Sequence, residues 1–332
     1  MNWLERHWYA RTPLGALLFP FSLLFRAGVA LRRGLYRAGI LRTTRLPVPV
    51  IIAGNITVGG TGKTPLVLWL AHLLHERGLH PGIISRGYGG RAAPPRPVTA
   101  ASDPALCGDE PVMLAQRSPA PVWVGADRVA AAQALLGAHP ECDVVISDDG
   151  LQHYGLARDL EIAVVDGLRG LGNGLLLPAG PLREPSARLA TVDAIIVNIS
   201  QSIGVGRAAE TPPTYAMTFT GSEFHNLLNP QHRAGPEHFH NRRVHAVAGI
   251  GNPQSFFRSL QRLGLTFTAH PFPDHHVFSA PDLAFSDADF IVMTEKDAVK
   301  CRSFAAEAHW ALRIDAEIDP AFGDLVMKKL GK

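Results

Sequence analysis

Ile52-Ala53-Gly54-Asn55-Ile56-Thr57-Val58-Gly59-Gly60-Thr61-Gly62-Lys63-Thr64 is the stretch that decides how this chain is read. Before it, Pro47 to Ala53 is a short apolar run that predicts a buried strand. After it, Thr64 to Arg77 carries Leu66, Leu70, Leu73 and Leu74 at helical spacing. A glycine-rich turn between a strand and a helix suits a phosphate group. Its backbone N–H groups can turn inward, and the helix adds the positive end of its dipole. The pattern G-x-x-x-x-G-K-[ST] is met at Gly62-Lys63-Thr64, with Thr57 where the first glycine usually stands; Gly59 and Gly60 supply the backbone freedom. The expected phosphate loop is therefore Thr57, Val58, Gly59, Gly60, Thr61, Gly62, Lys63 and Thr64. Lys63 would meet the β- and γ-phosphates of ATP, and the Thr64 hydroxyl would bind Mg²⁺.

Working outward, further buried-strand candidates fall at 82–85, 122–124, 144–146, 162–165 and 194–197. A helix at 128–138 follows Asp127 as a candidate cap. Strands alternating with helices predict a parallel sheet covered on both faces, a doubly wound α/β fold. Val144 to Ile146 runs on into Ser147-Asp148-Asp149, so two carboxylates stand at a strand's C-terminal end, where such sheets bind ligands. One of them would hold Mg²⁺; Asp149-Gly150 also makes an ordinary turn. The chain turns polar near 200–213, which reads as a linker. A second α/β set follows at 244–250, 253–263, 266–270, 290–293 and 309–314. The expected division is an N-terminal helical segment (1–46), a phosphate-loop core (47–212) and a smaller α/β domain (213–332).

The N-terminal segment differs from the rest in charge. Residues 1–45 hold eight arginines and one acid, Glu5, so they carry +7 where the whole chain carries +3. Leu14 to Phe25 is uncharged and apolar. As a helix, twelve residues span roughly 18 Å, short of a hydrocarbon core about 30 Å thick. With Pro20 inside the run and arginines on both sides, the segment is expected to be an amphipathic helix or helical hairpin lying at a membrane surface. Basic charge confined to one end does not suggest a nucleic-acid partner. Three scattered cysteines without a CxxC pair do not make a disulfide framework and fit a reducing cytosol.

Phosphoryl transfer to a hydroxyl calls for a base. Asp109 and Glu110, in a loop-like context before Pro111, are candidates, as is the cluster Asp274-His275-His276. In Ser85-Arg86-Gly87-Tyr88-Gly89-Gly90, Arg86 could meet phosphate and Tyr88 could stack on a ring. Thr294-Glu295-Lys296-Asp297 has some likeness to a guanine-specificity motif, but its lysine stands one place too late.

These motifs, with Gly108-Asp109-Glu110-Pro111, Asp148-Asp149-Gly150-Leu151-Gln152-His153, Gly172-Asn173-Gly174, Leu177 to Glu184 and Phe272-Pro273-Asp274-His275, resemble the tetraacyldisaccharide 4′-kinase family over nearly the whole chain. The resemblance implies transfer of the γ-phosphate of ATP to the 4′-hydroxyl of a tetraacyl glucosamine disaccharide 1-phosphate. It also implies work at the cytoplasmic face of the inner membrane; a monomer is expected. It implies Asp109 as base in a dyad with His275, a Mg²⁺ site at Thr64, Asp148 and Glu184, and phosphate or substrate contacts at Asp149 and Arg183. Two other readings remain beside it: a membrane-associated ATPase switch acting through a protein partner, and a soluble small-molecule kinase that does not need residues 1–45.

Overall fold

The computed structural model describes residues 7–10, 12–87, 94–199 and 212–332. In chain order its helices and strands are α1 (Pro13–Arg37), β1 (Val50–Gly54), α2 (Lys63–Glu76), β2 (Pro81–Ser85), β3 (Arg96–Val98), α3 (Pro104–Cys107), α4 (Asp109–Arg117), β4 (Val122–Val124), α5 (Arg128–Ala138), β5 (Val144–Asp148), β6 (Leu160–Asp166), β7 (Ala194–Asn198), β8 (Thr214–Thr220), β9 (Phe224–Asn226), β10 (Arg233–Ala234), β11 (Val244–Ala248), α6 (Pro253–Arg262), β12 (Phe267–Pro271), β13 (Phe290–Thr294), α7 (Glu295–Cys301), β14 (His309–Leu312), β15 (Asp315–Ile318) and α8 (Pro320–Lys329).

β1 and β5 are buried at every position because both lie inside a sheet of nine strands, ordered β15-β8-β7-β6-β1-β5-β2-β4-β3. Only the outermost pairings, β3–β4 and β15–β8, are antiparallel. Successive side chains of β1 serve opposite faces. Ile51 and Ala53 join Leu66, Leu70 and Leu74 of α2, while Val50 and Ile52 join Ala131, Ala132 and Leu135 of α5. This two-sided burial explains why these strands are continuous apolar runs rather than alternating ones. Parallel pairing of β1 with β5 sets Ala53 beside Asp148, and β2 with β5 sets Ile84 beside Ser147. The phosphate loop and the paired carboxylates therefore emerge side by side.

The second sheet, β10-β9-β14-β13-β11-β12, is parallel through β12, β11, β13 and β14, with β9 and β10 antiparallel. The boundary expected at 212/213 does not divide the two sheets. β8 pairs with β7, and β15 pairs with β8, so the chain returns to the first sheet at its C-terminal end. There Phe322 of α8, fully buried, stacks on Trp69 of α2 at 5.5 Å and meets Tyr215 at 5.3 Å. The expected linker near 200–213 lies almost entirely outside the described residues.

α1 is longer than its apolar run. It is one helix of 25 residues that continues through Pro20 and Arg26, and Thr12 caps it by accepting from Gly15 N. The expected hairpin is not formed. The helix measures about 37 Å, so the length argument against a crossing does not hold. It is long and apolar enough to span a bilayer by length and composition. Leu17, Leu24 and Leu31 are 70%, 71% and 65% exposed. One joint ties α1 to the core. The buried Ser22 hydroxyl donates to Leu176 O (2.7 Å) and accepts from Ala179 N (3.0 Å).

Replacing Phe322 with Ala should lower the unfolding free energy by roughly 3–5 kcal/mol, the usual cost of emptying a buried aromatic site. Urea denaturation of the full chain checks this. A change under 1 kcal/mol would mean that α8 is not part of the first sheet's core.

Candidate active site

The site lies where the C-terminal ends of β1, β2 and β5 open into loops, as in other open α/β sheets. Asn55, the first residue after β1, is fully buried. Its Nδ2 donates to Thr61 Oγ1 (3.2 Å) and to the Gly59 carbonyl (3.4 Å), so it braces the loop from inside. Lys63 Nζ donates to Asn55 Oδ1 at 3.3 Å and stands 3.3 Å from Asp149 Oδ1. Gly62 has φ +90°, and a Cβ there would lie 2.6 Å from Phe219 Cζ, so both conformation and space require glycine. As N-cap of α2 it brings no capping side chain, which leaves the first-turn N–H groups to an anion.

Asp148 ends β5 and is 1% exposed. Ser85 Oγ donates to its Oδ2 at 3.2 Å, while its Oδ1 is buried without a hydrogen-bond partner among the described residues. Burial first, then the neighbouring charges of Glu110 and Asp149, push this carboxyl up to about 7 against the pull of Lys63 and Arg128. Asp149, in the left-handed region at φ +50°, points the other way. Arg183 Nη1 donates to both of its oxygens, at 3.2 and 3.0 Å. Burial opposes its charge, but Lys63 and Arg183 outweigh burial and hold it at about 2.

Asp109 lies not in a loop but in the first turn of α4, where a carboxylate suits the helix dipole. It is 6% exposed; its Oδ1 accepts from Glu110 N (2.9 Å) and its Oδ2 stands 3.4 Å from His275 Nδ1. Burial raises the Asp109 carboxyl, but the hydrogen bond from His275 and the charge of Lys296 bring it below its ordinary value. The same hydrogen bond raises the His275 imidazole against the effect of burial. His275 belongs to the second sheet's side of the molecule, in the turn after β12 at φ +58°. The two sheets thus each supply one member of the pair. His276 turns away and pairs with Asp282 at 3.3 Å.

Glu184 is 1% exposed and already surrounded. Gln152 Nε2 donates to it at 2.9 Å, as does the Tyr154 hydroxyl; Arg188 Nε stands at 3.6 Å and Arg33 Nη1, on α1, at 3.8 Å. The structure does not gather Glu184 with Asp148 in a ligand cluster. Among the described residues no three His, Cys, Asp or Glu side chains come together as a metal cage. A cation held by Thr64, Asp148 and phosphate oxygens needs no such cage. Arg86, Asp148, Asp149, Arg183 and Glu184 line one cleft of about 520 Å³; Tyr88 lies outside the described residues. The opposite wall is α1, through Phe25, Gly28, Val29 and Arg32.

Sequence reasoning passed over Asn55, Ser85, Tyr154 and Lys296. Asn55 stands inside the phosphate-loop motif and braces it from within, whereas the partners of Lys296 lie elsewhere in the chain. Only the folded register of β1, β2 and β5 brings Ser85 to Asp148.

The family model described as tetraacyldisaccharide-1-P 4′-kinase matches residues 14–331. This chain belongs to that family. It is 50% identical over 329 residues to the tetraacyldisaccharide 4′-kinase of Methylobacillus flagellatus, covering 99% of this chain and 96% of the relative. It is 52% identical over 329 residues to that of an Azoarcus species, with 98% and 94% covered. Its fold is similar to the crystal structure of LpxK from Aquifex aeolicus in complex with ATP, at a TM-score of 0.82 and 30% identity, covering 96% of this chain and 99% of that one. The chain is thus a kinase with a phosphate-loop α/β fold.

Lys63→Met should lower phosphoryl transfer by roughly 10²–10³-fold, the scale of removing one preorganised donor from a developing charge. Rates with labelled ATP, beside a thermal melt showing an intact fold, check it. Near wild-type turnover would disprove the role.

Proposed function

We propose that this kinase transfers the γ-phosphate of ATP to the 4′-hydroxyl of a tetraacyl glucosamine disaccharide 1-phosphate, a lipid A precursor, at the cytoplasmic face of the inner membrane. The observation that carries the reading is the cleft itself. One wall is an exposed apolar helix carrying arginines, and the other holds Asp148, Asp149 and Glu184. An acceptor with acyl chains and an anionic sugar head fits such a pair of walls.

The roles follow from the contacts. The N–H groups from Gly59 to Thr64 and the Lys63 ammonium hold the ATP phosphates, with Asn55 fixing the loop, while the Val58 N–H of the expected loop donates instead to Pro181 O at 2.8 Å. Thr64 and Asp148 are the residues we assign to Mg²⁺, and the partnerless buried Oδ1 of Asp148 fits a cation there. When bound, Mg²⁺ neutralises charge on the β- and γ-phosphate oxygens. Asp149 aims the Lys63 ammonium, and Arg183 keeps Asp149 ionised.

Asp109 and His275 act as one base. Asp109 is the more buried partner, and its side chain is 7% exposed against 32% for His275. The imidazole is therefore the member that meets the acceptor. Nδ1–H donates to Asp109 Oδ2, which makes Nε2 the atom that takes the hydroxyl proton. Asp109 then stabilises the imidazolium. Glu184 and Tyr154 set the angle at which α1 meets the site, through Arg33 on the carboxylate and the Tyr36–Tyr154 ring contact at 5.8 Å.

With labelled ATP and a lipid extract containing the disaccharide acceptor, label should enter lipid. Asp109→Asn should reduce that transfer about 10²–10⁴-fold. Label appearing only as free phosphate, unaffected by the substitution, would favour an ATPase switch instead. For the membrane reading, Leu17→Gln combined with Leu24→Gln should weaken sedimentation with anionic vesicles while ATP binding stays intact. Equal sedimentation would show that α1 does not meet lipid.

A further inference from the structure

Thr294-Glu295-Lys296-Asp297 is the motif for which neither the phosphate loop nor the acceptor cleft gives a use, and every one of its residues is engaged. The Thr294 hydroxyl caps α7 by accepting from Asp297 N at 3.1 Å. Asp297, fully buried, accepts from Gly249 N (2.9 Å) and from Thr294 Oγ1 (2.6 Å), which fixes α7 to the end of β11. Glu295 Oε2 accepts from Arg117 Nη1 at 2.6 Å, at the last turn of α4. Lys296 reaches the first turn of the same helix. Its Nζ stands 3.0 Å from Glu110 Oε1, 3.9 Å from Asp109 Oδ2 and 3.4 Å from Asp274 Oδ1. α7 therefore grips α4 at both ends.

The position of Lys296 is particular. Asp109 and Glu110 belong to the first sheet's side, and Asp274 is the residue before His275, on the second sheet's side. One ammonium joins the two halves of the catalytic pair. Its side chain is 14% exposed, so water screens these contacts little. We propose that Lys296 is a positioning residue: it holds the Asp274-His275 turn against the start of α4 and so sets the separation and charge of the Asp109–His275 base. The proposal rests on the phosphoryl-transfer reading above.

The charge balance gives the proposal a sign. The groups facing Asp109 and His275 are Lys296 and Lys300 from α7, Glu110 from α4, Asp274 from the turn, and Asp297 behind Lys300, at 2.7 Å from its Nζ. Glu110, Asp109 and Asp274 keep Lys296 charged against the effect of burial. A cation so placed favours the charged carboxylate and disfavours the charged imidazole, so it lowers the protonation range of both members. Removing it raises both. The base works deprotonated, so the acid limb of the rate profile must then move to higher pH. Removing Asp274, whose charge raises His275, must move the limb the other way.

The test uses the full-length chain with ATP, Mg²⁺ and the disaccharide acceptor in detergent, comparing wild type with Lys296→Met, Lys296→Arg, Asp274→Asn and Asp109→Asn. Lys296→Met is expected to lower kcat about 10–100-fold, part of the full general-base contribution. Its KM for ATP should change less than about twofold, since uniform ATP binding is untouched. Its acid limb should shift upward, and Lys296→Arg, which keeps the charge, should bring the limb back. Asp274→Asn should shift it downward, and that direction decides the matter if Lys296→Met proves unfolded in a thermal melt. An unmoved limb, with Met and Arg variants equally slow, would overturn the proposal and leave Lys296 as a structural contact. If Asp109→Asn abolishes transfer while the Lys296 variants leave the limb unmoved, only this inference falls. If Asp109→Asn keeps full transfer, the dyad itself falls, and the role of Lys296 with it.

Discussion

The Lys63 ammonium is held at 3.3 Å from a neutral acceptor, Asn55 Oδ1, and at 3.3 Å from a charged one, Asp149 Oδ1. One partner comes from the end of β1 and the other from the end of β5. They meet because those strands pair in parallel with Ala53 beside Asp148. A one-residue slip would carry Asp149 away from the loop. The register of the sheet thus also fixes the place of the cation. The carboxylates, the loop amides and the acceptor cleft are arranged around it.

Two neighbouring aspartates show how strongly local surroundings decide chemistry. Asp148 looks into the protein, with one oxygen unpartnered, and is pushed up to about 7. Asp149 turns through a left-handed backbone toward Lys63 and Arg183 and is held at about 2. In the proposed assignment the first holds the divalent cation, on the side where its oxygen has no hydrogen-bond partner. The second already has its cations and serves to orient them. Adjacent in sequence and identical in type, they separate only through the direction their side chains take.

Much of the first sheet was legible because its strands are buried on both faces and so stand out as apolar runs; Val122–Val124 and the helix Arg128–Ala138 with its Asp127 cap fall where the pattern puts them. What escaped has physical causes. α4 hides behind glycine and proline: Gly108 precedes it and Pro111 sits in its first turn, so Asp109 reads as a loop residue. β15 and α8 lie past the last element expected from the sequence, near 309–314, and no periodicity says that the chain's end returns to the first sheet. Pro20 signals a break only if its carbonyl partner one turn back must stay bonded, and α1 carries on through it. Glu184 looks like a metal ligand beside Arg183, but Gln152, Tyr154 and Arg188 take its oxygens once the chain folds. Long-range partners of this kind have no trace in local sequence.

The wall that α1 lends to the cleft has a consequence for kinetics. A soluble enzyme meets its substrate at a rate set by bulk concentration. Here Phe25, Gly28 and Val29 border the same space as Asp148, Asp149 and Glu184, and the Ser22 joint fastens that helix to the core. With α1 at the membrane as proposed, encounter is a two-dimensional search within the leaflet, governed by the mole fraction of acceptor among its neighbouring lipids. Diluting the acceptor with inert lipid slows such an enzyme even when the total amount in the vessel is unchanged.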